Sequence, residues 1–177
     1  MKNLFSVIFF LLFVSLSAFS QNFPVDSETK KITYQETVQI DSLNKQTIYE
    51  RSKDWMVHFY KTSKLQLDNK EAGKITQEGL FNVQITYDFK YKTDYAIAYT
   101  INISVKEGKY RYIITDFNIY DVKNGPKTAQ SLESFYAKMR TGSKAEFVTK
   151  FNDEINLILE NLKTHVKTGL KKNEDDW

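Results

Sequence analysis

The chain has 177 residues, a formal net charge of +3 and no cysteine. A chain of this length is typical of a single domain that folds without disulfides or bound metal as cross-links. The lack of cysteine excludes disulfides, thiolate metal sites and cysteine nucleophiles. A charge so close to neutrality argues against a dedicated nucleic-acid binder, which would be strongly basic.

The first twenty residues have the pattern of a secretory leader. A short basic region precedes an almost unbroken apolar run over residues 4–16, and the small residues Ala18 and Ser20 precede a cleavage site between Ser20 and Gln21. The apolar run is shorter than the ~20 residues that cross a bilayer, so an uncleaved anchor is the weaker alternative. We therefore expect removal of residues 1–20 and export to the periplasm or the exterior, with no stable membrane anchor afterwards.

The mature chain begins with a strand followed by a helix. Apolar and polar residues alternate from Ile32 to Ile40, which predicts a half-buried strand. Asn44 is expected to cap a helix from about Lys45 to Lys61. The apolar residues of this helix fall into one stripe at helical spacing: Ile48, Tyr49, Trp55, Met56, Phe59 and Tyr60.

A meander of strands follows the helix. Leu65 and Leu67 predict a short strand, residues 68–73 a turn, and residues from Ile75 onward a long strand in which Gly79 is interpreted as a bulge. The clearest alternation covers residues 97–105, and Glu107-Gly108 occupies the place of a two-residue hairpin turn. Pairing across this turn predicts three opposed pairs in the core: Val105 with Tyr110, Ile103 with Tyr112, and Ile101 with Ile114.

The parity of apolar residues changes further along the last long strand, and this leaves two alternatives. A bulge near Thr115-Asp116 would return Phe117 and Ile119 to the core. Without a bulge, these two residues share the opposite face with Arg111 and Ile113. That second arrangement would create an exposed apolar strip with one cation, which is a candidate surface for a partner: Arg111, Ile113, Phe117 and Ile119.

Two further helices are predicted toward the C-terminus. After a loop at residues 124–126, residues 131–140 predict a short helix. Ser143 and Glu146 have the spacing of a capping box that opens a closing helix over residues 143–168, with Gly169 at its end. Its apolar stripe runs over five turns: Phe147, Val148, Phe151, Ile155, Ile158, Leu159, Leu162 and Val166.

This element order predicts an α+β fold. An antiparallel β-meander with one apolar face and two long amphipathic helices packs most simply as a two-layer sandwich, with both helices on that face. We expect one domain over residues 21–170, composed of a core at 26–122, a loop and short helix at 123–142 and the closing helix at 143–168. The tail at 171–177 is expected to be loose.

Several short stretches resemble a family of exported bacterial domains of unknown function with a fold like that of the TATA-binding protein. They are residues 43–51 running into Trp55, Leu67-Asp68, Gly73-Lys74-Ile75, and residues 107–112 at the hairpin. The resemblance covers about residues 26–120. It implies the TATA-binding-protein-like (TBP-like) sandwich and export, and it implies neither an activity nor catalytic residues.

The sequence contains little that indicates catalysis. His58 and His165 lie on different predicted helices, without the spacing of a zinc site or a nucleophile elbow. Asp88 and Asp94 flank a predicted turn, and Asp116 lies across from Tyr99; these carboxylates support an alternative hypothesis of a small cell-envelope hydrolase. We predict no metal, no cofactor and no catalytic residue.

The open face of the predicted sheet is the remaining functional candidate. It is mainly uncharged and polar, unlike a saddle that reads the minor groove with basic side chains and apolar wedges: Thr33, Gln35, Thr37, Gln39, Asn82, Gln84, Thr86, Thr100, Asn102 and Ser104. The hypothesis is a non-catalytic exported module that binds a protein or an envelope ligand, but not nucleic acid, through this face. Self-association is a further alternative.

Overall fold

The computed structural model describes residues 22–87 and 90–169. Six strands form one sheet: β1 (Tyr34–Gln39), β2 (Leu67–Asn69), β3 (Lys74–Tyr87), β4 (Tyr91–Lys106), β5 (Lys109–Asp121) and β6 (Gln130–Ser131). The helices are α1 (Lys45–Phe59), α2 (Leu132–Lys138) and α3 (Thr141–Thr168). The predicted cleavage site at Ser20 and Gln21, the candidate Asp88 and the tail at 171–177 lie outside the described residues.

The sheet is antiparallel, with the strand order β1-β5-β4-β3-β2. The short strand β6 pairs with β5 at Asn118 and Ile119. At the β4–β5 hairpin Gly108 has a positive φ of 66°, which glycine adopts without steric cost. The predicted register is confirmed, since Val105 pairs with Tyr110, Ile103 with Tyr112 and Ile101 with Ile114.

All three helices pack on one face of the sheet. They bury most of the apolar side chains that the sequence assigns to them, but Phe59 at the end of α1 is 39% exposed, contrary to the prediction. The indole Nε1 of Trp55 on α1 donates to Asn161 Oδ1 on α3 at 2.7 Å, so the two long helices contact each other as well as the sheet. On α3, Phe147, Phe151 and Leu162 are fully buried. The two-layer α+β sandwich predicted from the sequence is therefore confirmed.

The two long helices begin in different ways. Asn44 caps α1 as predicted, because its Oδ1 accepts a hydrogen bond from the Thr47 backbone N–H at 2.8 Å. The predicted capping box of α3 is wrong: the helix begins at Thr141, with Arg140 at the N-cap and Ser143 buried inside the first turn. Met139 is buried just before this start, so tertiary packing fixes where the helix begins rather than the local capping signal.

Gly79 does not form the predicted bulge. The β3–β4 register runs without interruption through the pair of Gly79 and Tyr99. A Cβ at Gly79 would overlap the Tyr99 ring and would lie 2.7 Å from Cε1 of Tyr60. The glycine therefore makes room on the core face for Tyr99, whose hydroxyl forms a 2.9 Å hydrogen bond with the Tyr60 hydroxyl.

Candidate functional site

A bulge in β5 decides which residues reach the open face of the sheet. The register shifts between Ala98 and Thr100, which pair with Asn118 and Thr115, so β5 holds one residue more than β4 over this interval. Asp116 takes a positive φ of 58° within the bulge. Of the two alternatives that the sequence leaves open, the bulged strand is the one found.

The bulge returns two of the four predicted partner-surface residues to the core. Phe117 and Ile119 are each only 1% exposed, and the ring of Phe117 packs 5.0 Å from that of Phe151, centroid to centroid. The predicted surface is therefore wrong for these two residues. Arg111 is exposed and Ile113 half-buried on the open face, where they are paired with residues of β4 and β1.

The open face consists of the residues of β1, β3, β4 and β5 whose side chains point away from the helices. No helix of the chain at 22–87 and 90–169 packs against it. Neighbouring strands are joined here by polar contacts: Thr76 Oγ1 donates to Asn102 Oδ1 at 2.8 Å, and an Arg111 Nη2–H donates to Gln35 Oε1. These contacts hold the polar side chains in fixed rows across the face.

Four cations gather at the hairpin end of the open face, and we call this group the basic end: Lys74, Lys106, Lys109 and Arg111. Lys74 and Arg111 lie on either side of Ser104, and Lys106 is paired with Lys109 in the next row. None of the four forms an ion pair within the part of the chain that the structure describes. Sequence reasoning missed this cluster because Lys74 is some thirty residues from the others, and only the strand register brings them together.

Of the carboxylates proposed for a hydrolase, the two that the structure describes, Asp94 and Asp116, do not converge. Asp94 lies within β4, not beside a turn, and accepts a hydrogen bond from Gln84 Nε2 at 2.8 Å. Asp116 lies at the level of Tyr99, as predicted, and forms a 2.5 Å ion pair with Lys31. Five residues of strand separate the levels of Asp94 and Asp116, about 17 Å at the usual rise, which is too far for a glycosidase pair.

The two histidines meet at one carboxylate, which the sequence did not indicate. On α1, His58 Nδ1 lies 3.0 Å from Asp54 Oδ1, and His165 Nε2 on α3 lies 2.9 Å from Asp54 Oδ2. The cluster joins the two long helices on the outer side of the domain. Within residues 22–87 and 90–169, no set of three metal-ligating side chains is arranged to hold an ion.

A six-stranded antiparallel sheet with its helices on one face and an open opposite face defines a protein of the TBP-like α+β class. Residues 34–120 match the family described as a domain of unknown function (DUF4468) with TBP-like fold. The family resemblance predicted from the sequence is therefore confirmed for this stretch, which contains α1, the β3–β4–β5 meander and most of the open face.

Two solved structures share this fold. A TBP-like protein from Parabacteroides distasonis superimposes with a TM-score of 0.63 at 18% identity, covering 82% of this chain and 97% of that chain. A DUF4468 family protein from Bacteroides ovatus gives a TM-score of 0.59 at 14% identity, covering 80% and 90%. At such identities the likeness concerns the fold alone. A comparison with curated proteins finds no match.

None of the helices formed by the described residues combines the length and apolarity that a membrane span requires.

Proposed function

We propose that this protein is an exported, non-catalytic binding module whose open sheet face binds an acidic surface of a partner protein. The observation that supports it is the basic end, where four cations have no ion-pair partner among the described residues. An unpaired cluster of one sign attracts a surface of the other sign and steers its approach. Export is the part of the proposal that rests on the predicted leader.

The surroundings of the basic end fit a protein interface. Arg111 is anchored by the neutral amide of Gln35, so its guanidinium keeps a full charge in a fixed position. Ile113 lies beside it, half-buried, and supplies apolar area. Arginine next to apolar area, with a polar rim of threonine and asparagine, is the composition that protein interfaces favour.

The same charges argue against a second copy of the chain on this face, and other observations argue against the hydrolase and against DNA. A second copy bound face to face with the two basic ends opposed would bring eight cations together, which is unfavourable. The separation of Asp94 and Asp116 gives no support to the hydrolase. Duplex DNA would satisfy the cations, but the export that the predicted leader implies would remove the protein from DNA.

Site-specific photo-crosslinking in an envelope extract tests the proposal. A photoreactive residue at Ser104, between Lys74 and Arg111, is compared with one at Leu157, which is 66% exposed on the outer side of α3. We expect one acidic protein to be crosslinked from Ser104 and not from Leu157. The Lys74→Gln/Arg111→Gln double variant should reduce the yield about tenfold, and 0.5 M salt should do the same.

The control for the charge change is Lys138→Gln, because Lys138 is exposed on α2, away from the open face. Equal yields from Ser104 and Leu157, or a yield unchanged in the double variant, would refute the proposal. Binding of the purified mature protein to duplex DNA through the same two cations would also refute it. N-terminal mass spectrometry of the protein secreted by its host checks the leader, with Gln21 expected as the first residue.

A further inference from the structure

The outer edge of β1 carries backbone groups without partners. Residues of a strand alternate in the direction of their N–H and C=O groups. The Ile40 N–H donates to Gly108 O on the β5 side, and the Thr33 N–H donates to Pro24 O on the outer side. The groups of Gln35, Thr37 and Gln39 therefore point outward, and no hydrogen bond satisfies them within residues 22–87 and 90–169.

A cleft of about 460 Å³ lies beside this edge, between β1 and α3. The segment that precedes β1 forms one end of the cleft, and the exposed side of α3 forms its far wall. The lining of the cleft combines apolar and charged side chains, among them Pro24, Val25, Asp26, Glu36, Leu159, Glu160 and Lys163. An unpaired strand edge next to a cleft is the geometry by which extended peptides are added to sheets.

The cleft has an excess of negative charge. Glu36 forms a 2.8 Å ion pair with Lys163 and accepts a 2.7 Å hydrogen bond from the Tyr112 hydroxyl. The hydrogen bond from Lys163 is the main cause that lowers the pKa of Glu36, so this carboxylate is ionised at neutral pH. Asp26 and Glu160 add two more carboxylates, and Glu160 has no ion-pair partner in the described part of the chain.

We propose that the outer edge of β1 binds an extended segment of a partner protein as an added strand, with a basic side chain of that segment in the cleft. The three outward residues of β1 provide N–H donors and C=O acceptors for the backbone of the segment. Every second side chain of the segment would point toward α3, where Glu160 offers an unpaired charge. The proposal does not depend on the function proposed above, because strand addition uses the outward backbone groups of β1, whereas the basic end lies on β3, β4 and β5.

A second copy of the chain is the less favourable occupant. Antiparallel pairing of two β1 strands would bring two acidic clefts together around the two-fold axis. Each copy would contribute three carboxylates, on Asp26, Glu36 and Glu160, and one ammonium group, on Lys163. Like charges that face each other weaken an interface. A basic segment has the complementary charge instead.

The test uses three synthetic probes on the isotope-labelled mature protein. They are a seven-residue peptide of alternating valine and lysine, the same peptide with glutamate in place of lysine, and the lysine peptide with every backbone nitrogen methylated, so that neither of its edges can donate a hydrogen bond. Amide NMR titration should show the lysine peptide perturbing Gln35, Thr37 and Gln39 and slowing their hydrogen exchange. The other two probes should bind at least about tenfold more weakly.

Variants of the protein identify the two components of the site. Thr37→Pro removes an outward N–H that has no partner among the described residues, and it should weaken binding of the lysine peptide about tenfold. Glu160→Gln should weaken it about threefold to fivefold at low salt. Asp153→Asn, a charge change at an exposed position of α3 outside the cleft, should have no effect.

Two results would overturn the proposal. One is equal affinity for the lysine and glutamate peptides. The other is perturbation centred on Arg111 and Ile113, on the open face, with the β1 amides unchanged. The methylated peptide keeps the proposal falsifiable even if Thr37→Pro does not fold, because full binding of that probe would exclude strand addition.

Discussion

Replacing Gly79 by alanine is expected to be among the most damaging single-methyl changes in this protein. A Cβ there would overlap the Tyr99 ring and approach Tyr60 Cε1 to 2.7 Å. Both rings belong to the packed side of the sheet, and Tyr99 is only 2% exposed. Neither ring can move away without disturbing the contacts behind it.

The magnitude follows from three contributions. Overpacking a core costs about 1–3 kcal/mol, and losing the hydrogen bond between the Tyr60 and Tyr99 hydroxyls adds about 0.5–1.5 kcal/mol. Alanine recovers about 0.5–1 kcal/mol because glycine is the poorer residue inside a strand. We therefore expect Gly79→Ala to lower the free energy of unfolding by about 2–3 kcal/mol, which is about 5–10 °C in Tm for a domain of this size.

Urea unfolding followed by the fluorescence of Trp55, which is 1% exposed, measures the change. Gly142→Ala is the matched control, since a Cβ at this position of α3 meets no atom within 4 Å, and we expect no loss of stability and a gain of up to about 1 kcal/mol, because alanine is the better helix former. Tyr99→Leu should cost at least about 1 kcal/mol less in the Gly79→Ala background than in the wild type, because it relieves the overlap. A loss below about 0.5 kcal/mol for Gly79→Ala, or strict additivity of the two changes, would refute this reasoning.

Three further predictions concern single side chains. Tyr110→Phe should leave the free energy of unfolding unchanged or raise it by up to about 1 kcal/mol, because this buried hydroxyl has no hydrogen-bond partner among the residues that the structure describes; a clear loss in urea unfolding would contradict it. Asn44→Ala should cost about 1 kcal/mol by the same measurement, because it removes the cap of α1, whereas Asn44→Asp should keep most of it. Lys163 lowers the pKa of Glu36 in the folded state, so the stability from their contact is present above the unfolded pKa and is lost as the pH falls. Glu36→Gln should therefore flatten the decline of stability below about pH 5, and an unchanged pH profile would contradict this.

Short-range sequence patterns correctly predicted the features of the fold that depend on residues close together in the chain. The start of α1 follows from the reach of the Asn44 side chain to the third residue beyond it. The β4–β5 register follows from the turn at Gly108, since a two-residue turn fixes which residues of the two strands are opposed. Both depend on neighbours in sequence, and both are confirmed.

The features that sequence reasoning missed depend on contacts between distant residues. Ser143 has the spacing of a cap, but burial of the preceding segment starts α3 two residues earlier. Gly79 has the sequence context of a bulge, but its role is to admit the ring of Tyr99 from the neighbouring strand. The convergence of His58 and His165 on Asp54 likewise needs the packing of α1 against α3.

The sequence predicted the candidate site only in part. Residue parity along β5 restricts Phe117 and Ile119 to two arrangements, but the choice depends on whether Asp116 adopts a positive φ, which an aspartate tolerates better than most residues. The sequence is therefore compatible both with an exposed apolar strip on the open face and with burial of Phe117 and Ile119. The basic end was hidden for another reason, because its members come from three strands and share no periodic pattern.

The bulge also determines what kind of force can hold a partner on the open face. Without it, Phe117 and Ile119 would lie on the open face further along the strand from Arg111, and binding would depend partly on apolar area, which salt does not screen. With the Phe117 ring and the Ile119 side chain in the core, the charges of the basic end dominate the face. Exposed charges are screened over about 10 Å at 0.1 M salt, so binding through the open face should be strongly salt-dependent. Partner binding that persists unchanged at high salt would have to use a different surface.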